Sequence, residues 1–511
     1  MLVHNRKLRF SAGMNKQTTR RSFLAGLSAL IVPGAVAAGP PLVSLRPQMR
    51  GVEFARRAGG GPDALIARSG LSGDVVFAVA DVKTGLELEA SDGARGLPPA
   101  SVAKALTALY ALNVLGPGYR FRTRLLITGS LSNGVVSGDL ILAGGGDPTL
   151  NTDDLASLAA QLKKAGVREV RGDFRVYTGA LPYVKSIDPG QPDHVGYSPA
   201  VSGIALNFNR VHFEWRAGGN GYAVTMDART GKYRPDVTSA RMKIVARSVP
   251  VYTFSDRKGV DYWTVARKAL GKGGARWLPV RNPGAYAGDV FRTMARAQGI
   301  VLKSAVVSDR LPKGAKMVVE HQSATLQPIL RDMLKYSNNL TAEMVGMTAT
   351  TALSGRPAKL KASGREMSRW AGRTFGMRAT SMVDHSGLGD ASRMSAQDLV
   401  GALVVARRNP GLRPLLKPFS LRDSKGRVNG KHAIKVDAKT GTLNFVSGLG
   451  GYMTAADGTE LAFAIFSADT KQRARITRAQ REKPQGARSW NRRAKQLQQK
   501  LIERWGALYG S

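Results

Sequence analysis

The segment 96–116, GLPPASVAKALTALYALNVLG, constrains the fold more than any other part of this sequence. It consists mostly of Ala, Leu, Val and Tyr, so we expect a helix that is buried on every side. Ser101 lies at the start of this helix, and Lys104 follows one turn later on the same face. The fold must therefore surround the helix with a core and still accommodate an ammonium group beside a hydroxyl.

The Ser101–Lys104 pair indicates nucleophilic chemistry. A serine hydroxyl attacks poorly until a base takes its proton, and desolvation or a neighbouring cation lowers the pKa of a lysine so that it can be that base. The helix N-terminus adds a positive field and free N–H groups that suit an oxyanion. The alternative is that Ser101 only caps the helix while Lys104 extends to solvent. The same spacing also occurs at Ser255 and Lys258, within a polar segment.

Two further short motifs follow along the chain. Ser337-Asn338-Asn339 lies at a predicted break between two helices, and Lys439-Thr440-Gly441 lies on a predicted strand, where the glycine lets another chain lie alongside. Each pattern recurs once, as Ser489-Trp490-Asn491 and as Lys83-Thr84-Gly85. Only one combination runs S-x-x-K, S-x-N, K-T-G on an apolar helix, a helix break and a strand hairpin in that order.

This ordered trio is typical of penicillin-binding proteins and serine β-lactamases. The chain resembles the low-molecular-mass penicillin-binding proteins of the D-alanyl-D-alanine carboxypeptidase/endopeptidase family, of the class C type with a large insertion. Three further stretches support the resemblance: LILAGGGDPTL, LKYSNNLTAEMV and VDHSGLGDASRMSAQDL. One position departs from the family pattern, because His385 stands where the family usually has glycine. We expect this histidine to alter the rim of the cleft.

The resemblance implies catalytic roles for four residues. Ser101 is expected to be the acylated nucleophile, and Lys104 its base in acylation. Ser337 and Asn339 are expected to relay protons and to hold the substrate amide.

The resemblance also implies a substrate-binding strand. Lys439 supplies positive potential for the terminal carboxylate, and Thr440 contacts that carboxylate. Gly441 permits close approach of a substrate that lies along the strand edge. The backbone N–H groups of Ser101 and Thr442 form the oxyanion hole. No metal and no organic cofactor is required, and the expected partners are peptidoglycan and β-lactams.

The spacing of the motifs predicts inserted domains. Ser101 and Ser337 are 236 positions apart, and 511 residues exceed one ordinary core. We expect an α+β or α/β fold, in which a penicillin-binding transpeptidase domain with an antiparallel sheet between helices carries a β-rich insertion. The predicted bounds are an export signal at 1–38, a linker at 39–59, the catalytic domain at 60–121 and 312–511, the inserted domain at 122–211 and 286–311, and a nested domain at 212–285.

Local patterns predict several elements of these domains. Two β-rich runs around Lys83-Thr84-Gly85 form a hairpin over 74–90, and three strands follow one another over about 432–469. Near the end of the chain, apolar residues recur at helical spacing and predict a final helix packed on the body. They are Trp490, Ala494, Leu497, Leu501 and Trp505.

The N-terminal segment predicts export. Arg20 and Arg21 precede an apolar run and then Ala35-Val36-Ala37, the layout of a twin-arginine signal cleaved near Ala37. The run is interrupted by glycine and proline and is shorter than the ~20 residues of a membrane span. We therefore expect a periplasmic protein. The chain has no cysteine, which excludes disulfides, thiol catalysis and Cys-ligated metal.

The charge balance favours polyanionic surroundings. The chain has 76 Lys and Arg against 36 Asp and Glu, a net charge of +40. No zinc-finger or RNA-binding motif accompanies this charge, so nucleic acid is not an expected partner. The segment 471–511 alone has 12 basic residues against two Glu. It predicts electrostatic contact with the anionic envelope, with a merely solvated helix face as the alternative.

The motifs favour a serine-type D-Ala-D-Ala carboxypeptidase and D,D-endopeptidase over three other kinds of protein. A serine-triad hydrolase is disfavoured, because there is no G-x-S-x-G and Asp384-His385-Ser386 are chain neighbours. A β-lactamase or esterase on the same scaffold differs only in its deacylation rate, which no short motif reports. A non-catalytic cell-wall binding protein would have no use for the catalytic residues of the three motifs.

Overall fold

The computed structural model describes residues 61–219, 221–408, 411–423 and 425–510. The predicted export signal and linker lie outside the described residues. In chain order the α-helices are α1 (Pro62–Ser69), α2 (Ala103–Leu115), α3 (Thr152–Lys164), α4 (Pro283–Ala297), α5 (Leu326–Tyr336), α6 (Asn339–Ser354), α7 (Leu360–Phe375), α8 (Ala396–Arg407), α9 (Thr470–Ala474) and α10 (Ala487–Tyr509). The strands are β1 (Asp74–Asp81), β2 (Glu87–Ser91), β3 (Arg122–Ile127), β4 (Leu131–Ser132), β5 (Val135–Val136), β6 (Leu140–Ala143), β7 (Glu169–Val170), β8 (Phe174–Tyr177), β9 (Arg210–Gly218), β10 (Gly221–Asp227), β11 (Ala240–Val245), β12 (Tyr252–Arg257), β13 (Val260–Ala266), β14 (Gly273–Pro279), β15 (Val306–Ser308), β16 (Lys316–Gln322), β17 (Lys417–Pro418), β18 (Lys435–Leu443), β19 (Val446–Thr454) and β20 (Glu460–Ala468).

A six-stranded antiparallel sheet in the order β17-β18-β19-β20-β1-β2 lies between two layers of helices. Successive side chains of a strand point to opposite faces, so each strand contributes to two cores. In β1, Val76, Ala78 and Ala80 pack with α2 and with helices α5 to α8, whereas Phe77 and Val79 pack with α1 and α10. The predicted antiparallel sheet with helices on both sides is confirmed.

Helix α2 is buried on every side, as its composition predicts. All residues from Ala103 to Ala111 are buried, Lys104 included. A 3₁₀ turn, Ala100–Val102, precedes the helix, and no side chain caps it. The alternative that Ser101 serves only as a helix cap is therefore wrong, and its hydroxyl is available for other contacts.

The long insertion folds around a second, mixed sheet. Its strand order is β15-β8-β6-β3-β16, and α3 and α4 pack in the same core. Two three-stranded sheets, β10-β9-β14 and β11-β13-β12, lie within 210–279, and a third is β4-β5-β7. Strand β16 pairs with β3 from Lys316 to Gln322, so this segment, which follows the predicted boundary at 312, belongs to the same sheet. Long-range pairing of this kind leaves no mark in the local sequence, and the domain bounds stay predictions.

The final helix is confirmed where the spacing predicted it. All five of its predicted apolar residues are buried, and the Trp505 ring lies 5.7 Å from that of Phe77 and 5.9 Å from that of Phe463. Helix α10 thus covers the face of the sheet opposite α2. Within the described ranges, no helix has the length and apolar character needed to cross a bilayer.

Candidate active site

Lys104 lies at the centre of a cluster that joins three distant parts of the chain. Its Nζ is 2.9 Å from Ser101 Oγ, 2.7 Å from Asn339 Oδ1 and 2.9 Å from the carbonyl oxygen of Ser386. Two of these partners are pure acceptors, whereas the hydroxyl can either accept or donate. The geometry therefore fits both a charged lysine with three donated bonds and a neutral one whose lone pair faces Ser101.

Burial favours the neutral form of Lys104. The side chain is fully buried, and this desolvation, helped by the charge of Lys439, lowers its pKa from 10.5 to about 7. The buried carboxyl groups of Glu343 and Asp384 act in the opposite direction. At neutral pH a large fraction of Lys104 is thus able to accept a proton.

The S-x-N motif forms the break between α5 and α6. Ser337 ends α5 in the left-handed conformation, with φ 57° and ψ 37°, and the Asn338 side chain caps α6 by accepting the N–H of Thr341 at 3.0 Å. Asn339 then begins α6. Its Oδ1 faces Lys104, and its Nδ2 donates to the carbonyl oxygen of Tyr197 at 2.9 Å. Asn339 therefore connects the lysine to the inserted segment.

The K-T-G motif lies on β18, next to the break. Lys439 Nζ donates to Ser337 Oγ at 3.0 Å and to the carbonyl oxygen of Thr440 at 2.8 Å. Burial, with a contribution from Lys417, lowers the pKa of Lys439 to about 8. Thr440 and Thr442 are exposed, whereas Lys439 and Gly441, which alternate with them along the strand, are buried. The strand thus presents its two threonines to solvent and its lysine to Ser337.

Gly441 also has a packing role within the protein, while its predicted role toward the substrate stays a prediction. A Cβ at this position would lie 2.7 Å from the carbonyl oxygen of Pro99 and 2.9 Å from the backbone nitrogen of Ser101. The chain that lies against this glycine is therefore the turn carrying Ser101. Because Gly441 has no side chain, this turn can pack closely against β18, and that packing sets the distance between Ser101 and the strand.

Sequence reasoning missed two buried carboxyl groups, those of Glu343 and Asp384. The Glu343 carboxylate accepts the backbone N–H of His385 at 2.8 Å and that of Ser386 at 3.0 Å, and so positions the carbonyl that binds Lys104. Burial, and then Asp384, raise the pKa of Glu343. The available signal was a charged residue within the apolar run of α6, the same kind of signal that Lys104 gave in α2.

His385, which was expected to alter the rim of the cleft, lies in the core instead. The side chain is fully buried, its Nε2 is 2.7 Å from Ser363 Oγ, and its ring is parallel to that of Tyr110 with centroids 6.3 Å apart. Burial lowers its pKa to about 3, so the imidazole is neutral. On α6, Gly346 makes room for it, since a Cβ there would lie 2.2 Å from the ring. The imidazole fits at this position because Gly346, on the facing helix, has no side chain and leaves space for the ring.

The repeated motifs do not join this cluster. Ser255 lies on β12 and Lys258 in the turn after it, and Lys83-Thr84-Gly85 is the exposed turn between β1 and β2. Ser489 lies in α10, where its Oγ donates to the carbonyl oxygen of Gly486. In the part of the chain that the structure describes, no group of three or more His, Asp and Glu is placed to hold a metal ion.

Comparisons with known proteins identify the family and the fold. A family model described as the D-Ala-D-Ala carboxypeptidase 3 (S13) family matches residues 63–485. The D-alanyl-D-alanine carboxypeptidase of Actinomadura sp. (strain R39) is 30% identical over 439 residues, 79% of this chain and 80% of that protein. The crystal structure of penicillin binding protein 4 (dacB) from Haemophilus influenzae has a TM-score of 0.68 at 21% identity, over 80% of this chain and 93% of that one. Its complex with a β-lactam has a TM-score of 0.64 at 22% identity, over 80% and 92%. These likenesses confirm the predicted fold class.

Proposed function

The chain belongs to the D-Ala-D-Ala carboxypeptidase 3 (S13) family of serine peptidases, and from that premise we propose that it cleaves peptidoglycan stem peptides through an acyl-enzyme on Ser101. The observation that carries the proposal is the contact of 2.9 Å between Ser101 Oγ and the fully buried Lys104 Nζ. The Actinomadura relative, named a D-alanyl-D-alanine carboxypeptidase, supports the substrate class.

Acylation begins with proton transfer from Ser101 Oγ to the neutral Lys104 amine. The two N–H groups of the neutral amine donate hydrogen bonds to Asn339 Oδ1 and to the Ser386 carbonyl oxygen, so the lone pair of the amine is directed at Ser101. Oγ bonds to the carbonyl carbon of the penultimate D-alanine. The developing oxyanion lies against the backbone N–H groups of Ser101 and Thr442, and loss of one such donor typically costs ~3 kcal/mol.

The second half of acylation expels the terminal D-alanine. Its nitrogen must gain a proton as the C–N bond breaks, and Ser337 Oγ, held by Lys439 at 3.0 Å, is the candidate donor. Lys439 also supplies positive potential for the carboxylate of the departing residue. The proton that Lys104 took from Ser101 passes to Ser337 Oγ, so that Ser337 regains its hydroxyl and Lys104 is neutral again. Water then hydrolyses the acyl-serine with Lys104 as the base, and Lys104 returns this second proton to Ser101 Oγ as the ester bond breaks.

The edge of β18 is the expected place for the peptide substrate. Strand β17 covers this edge only at Asp437 and Ala438. From Lys439 onward, no other described strand pairs with it on that side. An extended peptide can therefore add to the sheet beside Thr440 and Thr442 by main-chain hydrogen bonds.

Covalent labelling tests the nucleophile. The Haemophilus structure complexed with a β-lactam supports the use of a fluorescent penicillin as the probe. We expect Ser101→Ala to abolish labelling while melting temperature stays close to the wild-type value. Ser255→Ala is the matched control, because that serine belongs to the S-x-x-K outside the cluster, and it should label normally. Labelling that survives Ser101→Ala would show that the nucleophile has been misassigned.

Muropeptide products separate the possible activities. Incubation of the protein with purified muropeptides, followed by mass measurement, should show loss of one terminal D-alanine. Release of monomers from cross-linked dimers would add D,D-endopeptidase activity. Rapid hydrolysis of penicillin without muropeptide cleavage would instead identify a β-lactamase, and absence of any product would identify a binding protein.

A periplasmic location is part of this proposal. Its support is the Arg20-Arg21 pair, the apolar run and Ala35-Val36-Ala37 at the N-terminus. Cell fractionation of the wild type and of an Arg20→Lys, Arg21→Lys variant tests it. We expect the variant to stay in the cytoplasm, and equal export of both proteins would contradict a twin-arginine signal.

Electrostatic contact with the envelope is also proposed, from the excess of ten positive charges in 471–511. Some of these charges are already neutralised, since Arg473 and Arg481 pair with Asp390 and Arg478 pairs with Asp193. Pelleting with isolated envelopes should fall steeply between low and high salt. Binding that ignores salt would point to a different kind of contact.

A further inference from the structure

A cavity of about 490 Å³ opens where two connections between the helical core around α2 and the sheet of the insertion run side by side. One connection leads from α2 to β3, and the other leads from β16 to α5. They are joined at Phe121 and Ser323, where the Phe121 N–H donates to Ser323 Oγ and the Ser323 N–H donates to the Phe121 carbonyl oxygen, both at 3.0 Å. The volume of the cavity is in the range of small-ligand sites.

Three arginines line this cavity, and one carboxylate faces them. Arg122 and Arg124 are two residues apart on β3, so they lie on one face of the strand, roughly 7 Å from each other. Glu320 Oε2 is 2.8 Å from Arg124 Nε, whereas Glu320 Oε1 is 3.9 Å from Arg122 Nε. Arg120 donates to the Ser323 carbonyl oxygen at 2.7 Å and pairs with no carboxylate of the described residues. The wall therefore carries an excess of two positive charges.

The register of β3 and β16 leaves Arg122 without an acidic partner directly opposite. Glu320 pairs with Arg124, and the next position on the same face of β16 is Gln322, opposite Arg122. The Gln322 amide donates to Glu320 Oε1 at 2.8 Å, so the single carboxylate is already shared between this amide and Arg124. In the described ranges the Arg122 guanidinium makes no hydrogen bond, and 55% of its side chain is exposed. Its planar set of N–H donors is available to a ligand.

The excess charge fits a phosphate group better than a carboxylate. A phosphomonoester carries a charge of about −1.5 to −2 at neutral pH and presents three acceptor oxygens, whereas a carboxylate carries one charge. Arginine binds phosphate through two parallel hydrogen bonds, and a cleft lined by charges of one sign concentrates the potential that attracts such an ion. Tyr119 adds a neutral hydroxyl to the same wall, because burial raises its pKa.

We propose that this cavity binds a phosphate group, as inorganic phosphate or as a phosphomonoester, through Arg122 together with Arg120 and Arg124. Arg120 belongs to the loop before β3 and is held to Ser323 of the other connection. A phosphate shared by Arg120 and Arg122 therefore stabilises the junction between the two connections. The proposal goes beyond the proposed function and does not depend on it, since no residue of the catalytic cluster lines the cavity.

Calorimetric titration of the purified protein with inorganic phosphate, at about pH 7.5 and constant ionic strength, tests the proposal. We expect one site with a Kd of about 1 mM or tighter. The melting temperature should rise by about 2 °C or more at a phosphate concentration of about 50 times the Kd. Arg122→Gln should weaken binding about tenfold or more, because it removes charge-assisted hydrogen bonds.

Control variants distinguish this site from the general positive charge of the chain. Arg267→Gln removes the same charge from an exposed 3₁₀ turn outside the cavity and should leave the Kd unchanged. Glu320→Gln removes the competing carboxylate and should tighten binding about threefold or more. A wild type that binds no phosphate at about 50 mM overturns the proposal whether or not the variants fold. Equal affinities of the wild type and Arg122→Gln, or weaker binding by Glu320→Gln, also overturn it.

Matched ligands identify the chemistry and the source of the phosphate. Acetate should bind at least about tenfold more weakly than inorganic phosphate, and equal affinities for the two would overturn the charge argument. Glycerol 3-phosphate carries the same group as an ester. Tighter binding of this ester supports the proposal with a phosphorylated polyol or headgroup as the ligand, and tighter binding of inorganic phosphate supports it with the free ion. Ser101→Ala should bind phosphate as the wild type does, so the site is measured apart from the acylation chemistry.

Discussion

Replacement of Lys104 by arginine tests the central chemical claim, that a neutral lysine removes the proton from Ser101. A guanidinium keeps its proton at every accessible pH, so Lys104→Arg retains a cation in the site and removes only the base. We expect acylation by penicillin to fall by at least three orders of magnitude.

The magnitude follows from the burial of the lysine. With a pKa of about 7, roughly half of Lys104 is neutral at pH 7. An unperturbed lysine with a pKa of 10.5 would be neutral in only roughly one molecule in 3000 at that pH. Burial and the charge of Lys439 thus raise the neutral fraction of Lys104 about 1000-fold. Lys104→Arg has no neutral form and loses at least this gain.

The assay is the second-order rate of acylation by a fluorescent penicillin as a function of pH. The wild-type rate should fall about tenfold between pH 8 and pH 6, because Lys104 gains its proton over that interval. Lys104→Arg should show no rise up to pH 9. Lys258→Arg, in the S-x-x-K outside the cluster, should behave as the wild type. A wild-type rate independent of pH over this range, or an active Lys104→Arg enzyme, would refute the role of Lys104.

Three further outcomes are expected. The pKa of Lys104 is lowered in the folded state, so the buried lysine lowers the free energy of unfolding by its full amount below about pH 7, and this destabilisation disappears as the pH rises through 10.5. In urea titrations the free energy of unfolding of the wild type should therefore gain about 2 kcal/mol relative to that of Lys104→Met between pH 7 and 9. A difference that stays constant over this range would contradict the lowered pKa. Gly441→Ala should displace the turn that carries the serine and reduce acylation about 100-fold, whereas Gly430→Ala, with nothing within 4 Å of its Cβ, should leave the rate unchanged; equal rates for both variants would be incompatible with the packing described. Gly346→Ala should cost about 1–3 kcal/mol of unfolding free energy through contact with the His385 ring, and the cost should largely vanish in a His385→Ala background; denaturant midpoints measure both, and equal costs in the two backgrounds would exclude the contact.

The chemistry of the cluster could be predicted from short spacings. Ser101 and Lys104 share a helix face because they are three residues apart, and that relation holds wherever the helix lies in the fold. The break at Ser337-Asn338-Asn339 and the apolar spacing of α10 are likewise local, and both elements formed where they were expected. The family relation confirms the resemblance that these motifs indicated.

What the sequence alone could not supply depends on groups that are far apart along the chain. The pKa of Lys104 reflects desolvation by several elements and the charge of Lys439, and neither follows from a spacing. The requirement for Gly441 and the burial of His385 arise where one segment packs against another, at Ser101 and at Gly346. The pairing of β16 with β3 likewise joins segments that are far apart along the chain.

Local periodicity thus determined which residues form helices and which hydroxyl lies beside which amine. Only the tertiary structure decided that Asn339 contacts Lys104 across 235 residues and that Lys439 donates to Ser337. The physical reason is that helix geometry depends on the torsion angles of a few successive residues. Burial, electrostatic potential and excluded volume instead sum over every neighbour that the fold brings close.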